Sequence, residues 1–509
     1  MGNMISKLQV ARLAGAAILI AGIKLALHLY ADHNYGYFVD ELYNLSLARH
    51  LDWGYVDVAP MIAVIGRFEV AVLGDSLQAI RLLPALAGAL KVLLTAMIAR
   101  ELGGGRFAQA LAALCFLAAP GLLAMDHFLN VNSFEAVVWI GLALLLARMI
   151  RGGDEKLWLW FGLLSGVGLE TKHSVLLFGF ALVAGLALSP ARRLLASRWL
   201  LLGGAIAFLL FVPNLLWNIH YHFPFLELQE NIRRDGRNVA FTPFSFFAQE
   251  GLAMLPASVP VWLAGLWYLF FHREGRRYAA LGWAFLIASA LILALNPRIY
   301  YLFPAFPMLF AAGAVAIEQW RAKWVRWVLC VLIVALGALL APTMIPLLPP
   351  ETYIAYARAT GLQQPRIENH RLGPLPQLFA DQFGWEEMAA ATARVYDSLP
   401  PDVRAHTAIF GQNYGQAGAI NVYGRKYGLP EAISGHQNFY LWGPRGYTGE
   451  SMIVLGDNRA TLEREFDHVE WRAHVAHPYA MPYEHIDIFY CRGMKWPLAQ
   501  VWPKIKKWD

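Results

Sequence analysis

Two adjacent carboxylates, Asp40 and Glu41, sit in the segment YGYFVDELYNLSLARHL, just past the first apolar run. A carboxylate at a membrane–water boundary suits a general base acting on an acceptor hydroxyl. The same pair suits the first turn of a helix over 41–51, where acidic side chains cap free N–H groups and favour the dipole. One residue can serve each purpose. Lys172, in GLETKHS, is a cation between two short apolar runs, placed to hold a phosphate. The alternative is a snorkelling lysine paired with Glu170. Further on, NPRIYYLFPAFP carries Arg298, Tyr300 and Tyr301. The guanidinium offers a fixed fork for phosphate oxygens, and the phenols add donors. An interfacial Arg/Tyr belt would use the same residue types.

Weaker groupings surround these. Asp126, His127, Asn130, Asn132 and Glu135 form a polar knot between two apolar runs. Asp126 and Glu135 are the candidate ligands for a divalent cation, since hard cations take carboxylate oxygens. A capped helix start accounts for Asn132 and Glu135 as well. The stretch 211–238 holds His220, His222, Glu227 and the pair Arg233 and Arg234. The two histidines are two residues apart and would not share a helix face. The arginines suit an anionic headgroup or a solvated loop. Asp57 and the tail residues His436 and Asn438, in ISGHQNFYLWGP, have the types that contact acceptor sugars or build turns. No phosphate-binding glycine loop, Cys-x-x-Cys pair or Gly-x-Ser-x-Gly elbow occurs, which removes nucleotide-driven transport, zinc structure and serine hydrolysis as favoured readings.

The elements that must position these residues are membrane spans. The 509 residues are 58% hydrophobic and 15% charged, far from the composition of a soluble chain. Spans of about 20 residues are expected near 9–30, 78–99, 106–125, 133–150, 157–170, 173–189, 199–217, 251–271, 278–295, 300–318 and 325–345. Basic clusters at residues 7–12, Arg100/Arg106, Arg148/Arg151/Lys156, Arg192/Arg193/Arg198, Arg273/Arg276/Arg277 and Arg321/Lys323/Arg326 alternate with them. Cytoplasmic loops collect Lys and Arg, so these clusters mark the inner side. Asp32, Asp40, Glu41, Asp52 and Asp57 then fall outside, and two amphipathic pieces, 41–51 and 59–73, are expected along the interface. The net charge of +6 comes from the inner loops and signals no nucleic-acid partner. The first run lacks a cleavage site and reads as a retained helix. Cys115, Cys330 and Cys491 form no disulfide scaffold.

Composition shifts after Pro346. The expected organisation is a transmembrane domain over 1–345 and a soluble α/β domain over 346–509. Short strands are predicted at Thr407–Phe410 and Ser451–Leu455, and a helix over 385–398.

Five ordered segments resemble the polytopic glycosyltransferases of the C-type (GT-C) fold, in the branch of the protein O-mannosyltransferases, the bacterial dolichyl-phosphate-mannose mannosyltransferase-like proteins and the lipid A aminoarabinose transferase. They are VDELYNLSLARHLDWGYVD, GLLSGVGLETKHS, FVPNLLWNIHYHFPF, NPRIYYLFPAFPML and the tail FGQNYGQAGAINVYGRKYGLPEAISGHQNFYLWGP. The resemblance implies a polytopic α-helical membrane protein of about eleven spans with a C-terminal periplasmic α/β domain, in the bacterial inner membrane. It implies a sugar donor on a polyprenyl phosphate, an acceptor hydroxyl on a lipid, glycan or protein, and inversion at the anomeric carbon. Asp40 takes the place of the family's acidic base, with Glu41 its neighbour. Lys172, Arg298, Tyr300 and Tyr301 take the places expected near the donor phosphate. Two departures fall where acceptor or metal contacts would lie: Asp57-Val58-Ala59-Pro60 stands for the family's Asp-His-Pro-Pro, and Asn132 for an Asp. No cofactor is required by this reading beyond the candidate divalent cation.

Two other classes compete with an enzyme. A lipid-linked sugar flippase would also use broken spans and intramembrane charge, although the charged candidates cluster at one boundary and no inverted repeat is visible. A scaffold using the tail for assembly is the third.

Overall fold

The computed structural model describes residues 15–236, 241–295, 298–362, 364 and 371–509. The basic cluster at 7–12, the start of the first span, and Asn296 and Pro297 lie outside the described residues. The chain divides into two units, each built from separated stretches. The first comprises Met1–His33, Gln78–Leu216 and Asn238–Leu347. The second comprises Asn34–Leu77, Trp217–Arg237 and Leu348–Asp509. The change of unit at Leu348 lies close to the expected boundary, and the second unit also gathers two stretches that the sequence places in outer loops.

The regular structure of the first unit is helical among the described residues. Among those residues, six helices are long and apolar enough to cross a membrane: Leu77–Glu101, Val131–Arg151, Arg198–His220, Arg276–Leu295, Ile299–Glu318 and Lys323–Met344. Pro243–Ala253 and Pro256–Phe271 form a pair bent by 101°. Gly15–Ala31, Arg106–Ala118, Leu157–Leu169 and Ser174–Ala187 are apolar but shorter. Helix thus occurs at every predicted span, yet several fall short of the length that a span needs. Pro120 explains one case. It lacks an N–H and opens its own short helix, Pro120–Met125, so the run 106–125 breaks in two. The bent pair turns at Leu255, whose φ of 77° lies in the left-handed region, just before Pro256.

Close helix approach in this unit needs small residues, as is usual in membranes. A Cβ on Gly313 would lie 1.8 Å from the Val261 carbonyl oxygen, and one on Gly265 would lie 2.3 Å from that of Leu309. Phe306–Glu318 is buried at nearly every position, as a helix apolar on all sides should be. Basic ends converge as the alternating clusters predict. Glu101 receives Arg148 Nε at 3.0 Å and Arg151 at 3.3 Å, while the Tyr278 hydroxyl donates to the Glu101 carbonyl.

The second unit is α/β. Its sheet runs β1 (Thr407–Gly411), β2 (Ser451–Leu455), β3 (Phe466–Val475) and β4 (Ile486–Met494), in spatial order β1-β2-β4-β3. β1 and β2 are parallel, and the other two pairings are antiparallel. Every residue of β2 is buried. The edge strand β3 is mostly exposed and charged, with a register shift between Trp471 and Ala473; both features blunt an edge. Helix Trp385–Asp397 lies where predicted and buries Met388, Ala389, Thr392 and Val395. The expected interfacial piece 41–51 is a correction. Helix Val39–Arg49 buries positions 41–48 and packs on helix Tyr414–Tyr423, where a Cβ on Gly418 would lie 2.9 Å from the Leu42 backbone. Of the two expected interfacial pieces, Met61–Val72 is the one that keeps an exposed apolar face.

Candidate functional site

The second unit brings together four of the sequence candidates. Asp40 stands at the second position of helix Val39–Arg49, half-buried, and accepts the Tyr414 hydroxyl at 2.8 Å. Its neighbour Glu41 is fully buried and reaches back to the Phe38 N–H at 2.8 Å, closing the helix start. Glu41 therefore has the capping task, which leaves Asp40 as the carboxylate of the pair with access to solvent. Asp57 accepts the Tyr43 hydroxyl at 2.8 Å, and that hydroxyl receives the Asn438 backbone N–H at 3.3 Å. The Asn438 side chain accepts the Val56 N–H at 3.3 Å. His436 Nδ1 accepts the Tyr414 N–H at 3.1 Å, and its Nε2 lies 3.1 Å from Asp509. The rings of Tyr43 and Tyr414 are 4.9 Å apart, so the two tyrosines join Asp40, Asp57, His436 and Asn438 into one cluster. Arg233 and Arg234 are not part of it. Both lie exposed on helix Pro224–Arg234, beside Glu230, Asn231 and Asp235, as a solvated helix end would place them.

The cluster holds more acid than the sequence suggests. Asp381 accepts the Tyr483 hydroxyl, and its backbone carbonyl takes the Val39 N–H. Glu484 accepts amide donors from Asn413 and Gln416 at 2.9 and 3.1 Å. Burial pushes Asp57 up to about 7 against the pull of Tyr43, with the Asp40 charge adding to the rise. Burial likewise raises Glu484 to about 7, and burial with the Glu484 charge lifts Asp381 well above the ordinary carboxylate range. These groups keep protons that the unfolded chain has lost, so each contributes stability that is lost as pH rises from about 4 to 7. Glu431, held down to about 2 by His50 first, acts in the opposite sense: its stabilisation is complete only once pH has passed the ordinary glutamate value. An Asp57→Asn/Glu484→Gln variant should flatten the loss, by a few kcal/mol at most. Thermal unfolding of both proteins across pH 4–8 measures it.

The first unit assembles the other candidates. Lys172 Nζ donates to Asn132 Oδ1 at 2.8 Å and Glu135 Oε2 at 2.9 Å, and lies 4.3 Å from the Tyr301 ring centroid and 5.6 Å from that of Tyr300. The Ser174 hydroxyl also donates to Glu135. The carboxylate partner of Lys172 is thus Glu135, and not Glu170 as the alternative reading had it. An ammonium has three N–H donors, so two fixed acceptors leave one for an anion. Arg298 heads the turn Ile299–Tyr301 that carries both tyrosines.

Asp126 and Glu135 do not fit a metal. Asp126 Oδ2 lies 3.0 Å from Lys24 Nζ, and its other oxygen bonds Lys91, with all three side chains buried. Lys91 donates also to the Ser133 carbonyl at 2.7 Å. A Cβ on Gly88 would strike Lys24 and Asp126, so glycine makes this approach possible. Ammonium groups already balance both carboxylates, which leaves no pair of anionic oxygens for a cation. Among the described residues, no group of three or more His, Cys, Asp or Glu could hold a metal ion. The buried lysines, with the ion pair Arg81–Asp32 at 3.3 Å, are a feature that sequence reasoning missed. Lys24 and Lys91 inside apolar runs were its visible signal.

Comparison with known proteins agrees with this architecture. The sequence is similar to the dolichyl-phosphate-mannose-protein mannosyltransferase family over residues 57–217, less than half of its length. No curated protein is similar enough in sequence to match. The structure resembles ArnT from Cupriavidus metallidurans, both bound to undecaprenyl phosphate and in the apo state. In each case the TM-score is 0.61 at 15% identity, over 93% of this chain and 97% of that one. The Archaeoglobus fulgidus oligosaccharyltransferase tethered with an acceptor peptide gives a TM-score of 0.47 at 15% identity, over 82% of this chain and 64% of that one. The chain has the C-type glycosyltransferase fold, with helices apolar enough to span a membrane and a small α/β unit.

Proposed function

We propose that this protein is a membrane glycosyltransferase. It moves a sugar from a polyprenyl phosphate to a hydroxyl of a lipid, glycan or protein at the periplasmic face of the bacterial inner membrane. The observation that carries the reading is the likeness, over nearly the whole chain, to a fold that holds undecaprenyl phosphate in ArnT. Asp40 takes the proton of the acceptor hydroxyl as the oxygen attacks the anomeric carbon. The bond from that carbon to the phosphate oxygen breaks, and the polyprenyl phosphate departs from the opposite face, so configuration inverts. A phosphate leaving group needs charge stabilisation more than a proton. Lys172, with its remaining N–H, and Arg298 supply it, and Tyr300 and Tyr301 add hydroxyl donors.

Lys172 provides the test. Removing it alone would strand the buried Glu135, a change that disturbs folding whatever Lys172 binds. The double variant Lys172→Gln/Glu135→Gln removes both charges together. It should fold, and its KM for the polyprenyl-phosphate donor should rise about tenfold or more, the worth of one charge-assisted hydrogen bond. A folded double variant with the donor KM of the native protein would remove Lys172 from the donor site.

A further inference from the structure

The α/β unit contains a second, cationic feature away from the carboxylate cluster. A cavity of about 240 Å³ lies between helices Val39–Arg49 and Met61–Val72 and the turn after Tyr423. Arg49, Arg67, Arg425 and Lys426 line it, against one lining carboxylate, Asp75. The carboxylates nearby do not balance them. Asp75 lies 3.6 Å from Arg425, Glu386 pairs with Lys426 at the rim, and Glu431 is 4.0 Å from Arg49. Glu431 is held more closely by Arg445 and by His50 at 3.1 Å. Arg67 makes no ion pair among the described residues. Burial, and then the Arg425 guanidinium, press Arg49 below the ordinary guanidinium pKa. Like charges gathered in one cavity are relieved by an anion.

The surface beside this cavity says what carries the anion. Val64, Phe68 and Val72 are 48%, 49% and 62% exposed and recur every fourth residue, forming one apolar stripe on helix Met61–Val72. Arg67 and Val70, three residues apart, turn toward the cavity. Arg67 therefore stands on the border between a cationic hollow and an exposed apolar stripe. A soluble anion would use only the hollow. An amphiphile with an anionic head and hydrocarbon chains would use both, as interfacial helices and basic pockets do with lipids.

We propose that this cavity binds the phosphate headgroup of an anionic membrane phospholipid, whose acyl chains lie along Val64, Phe68 and Val72. The site is separate from Asp40 and requires no particular transfer reaction. It would fix the α/β unit against the bilayer surface and make its anchoring depend on lipid composition.

Native mass spectrometry of the full chain, exchanged from detergent into defined lipid, tests this directly. With dioleoyl-phosphatidylglycerol and dioleoyl-phosphatidylcholine as competing probes, the native protein should retain phosphatidylglycerol on the order of tenfold more tightly. Arg67→Ala/Arg425→Ala should abolish that preference, and Arg67→Lys/Arg425→Lys should keep most of it. Both arginines are exposed, so unfolding temperatures should match across the set. Phe68→Ser/Val72→Ser should weaken phosphatidylglycerol retention as well. An undiminished preference in the double alanine variant would overturn the proposal. So would inorganic phosphate displacing the lipid at equal concentration, because the hollow would then take a free anion.

Discussion

Replacing Asp40 with Asn should lower sugar transfer by about 10²-fold or more, the usual worth of a positioned general base. Protein abundance and unfolding temperature should stay unchanged. The substitution is clean because an Asn oxygen can still accept the Tyr414 hydroxyl that orients the native side chain. The charge and the ability to take a proton are lost, and one carboxylate oxygen becomes an amide donor. Glu41→Gln makes the contrast. Gln can serve the same capping position, and the Glu41 carboxylate is buried against the Phe38 N–H. That variant should keep near-native transfer. Initial rates with purified protein and a labelled polyprenyl-phosphate sugar separate the two. Equal losses in both variants, or none in Asp40→Asn, would defeat the assignment of the base.

The second large effect concerns folding. Asp126→Asn should destabilise the membrane unit by about 3–5 kcal/mol, because it strands Lys24 and Lys91 as buried cations. A loss of that size is a large part of the total stability of a typical protein. The expected result is little monodisperse protein after extraction. Replacing the whole triad with apolar residues of similar size, as Lys24→Met/Lys91→Met/Asp126→Leu, should restore much of the yield, since no charge is then buried alone. Size-exclusion profiles and unfolding temperatures in one detergent measure both. Native stability in Asp126→Asn would mean that the lysines find other partners.

What the sequence made legible follows from what is local in it. Asp40 and Glu41 are adjacent, so a cap beside a second carboxylate was readable from their spacing; which of the two caps the helix depends on burial that spacing does not show. The helix positions were readable from apolar runs, but their lengths were not, because Pro120 and the turn at Leu255 act within runs that look continuous. The partner of Lys172 was not legible. Glu170 is near in sequence, whereas Glu135 reaches it from another helix. Strands β1 and β2 are apolar and buried and were found. β3 carries His, Glu and Arg as an exposed edge, so its composition hides it. Tyr43 and Tyr414, which link the carboxylate cluster, lie within segments quoted for the family resemblance, yet a tyrosine gives no sign from sequence that its hydroxyl serves a carboxylate. The grouping of 34–77 and 217–237 with the C-terminal stretch is a long-range packing outcome, outside what local pattern can report.

One measurement bears most directly on the central claim. Purified protein in sealed vesicles would be given a polyprenyl phosphate carrying a labelled sugar, together with an extract of envelope acceptors. Label in the acceptor fraction and free polyprenyl phosphate, in equal amounts, is the predicted result. Label that stays on the lipid and merely changes leaflet would contradict it, and would identify a carrier of lipid-linked sugar in place of a transferase.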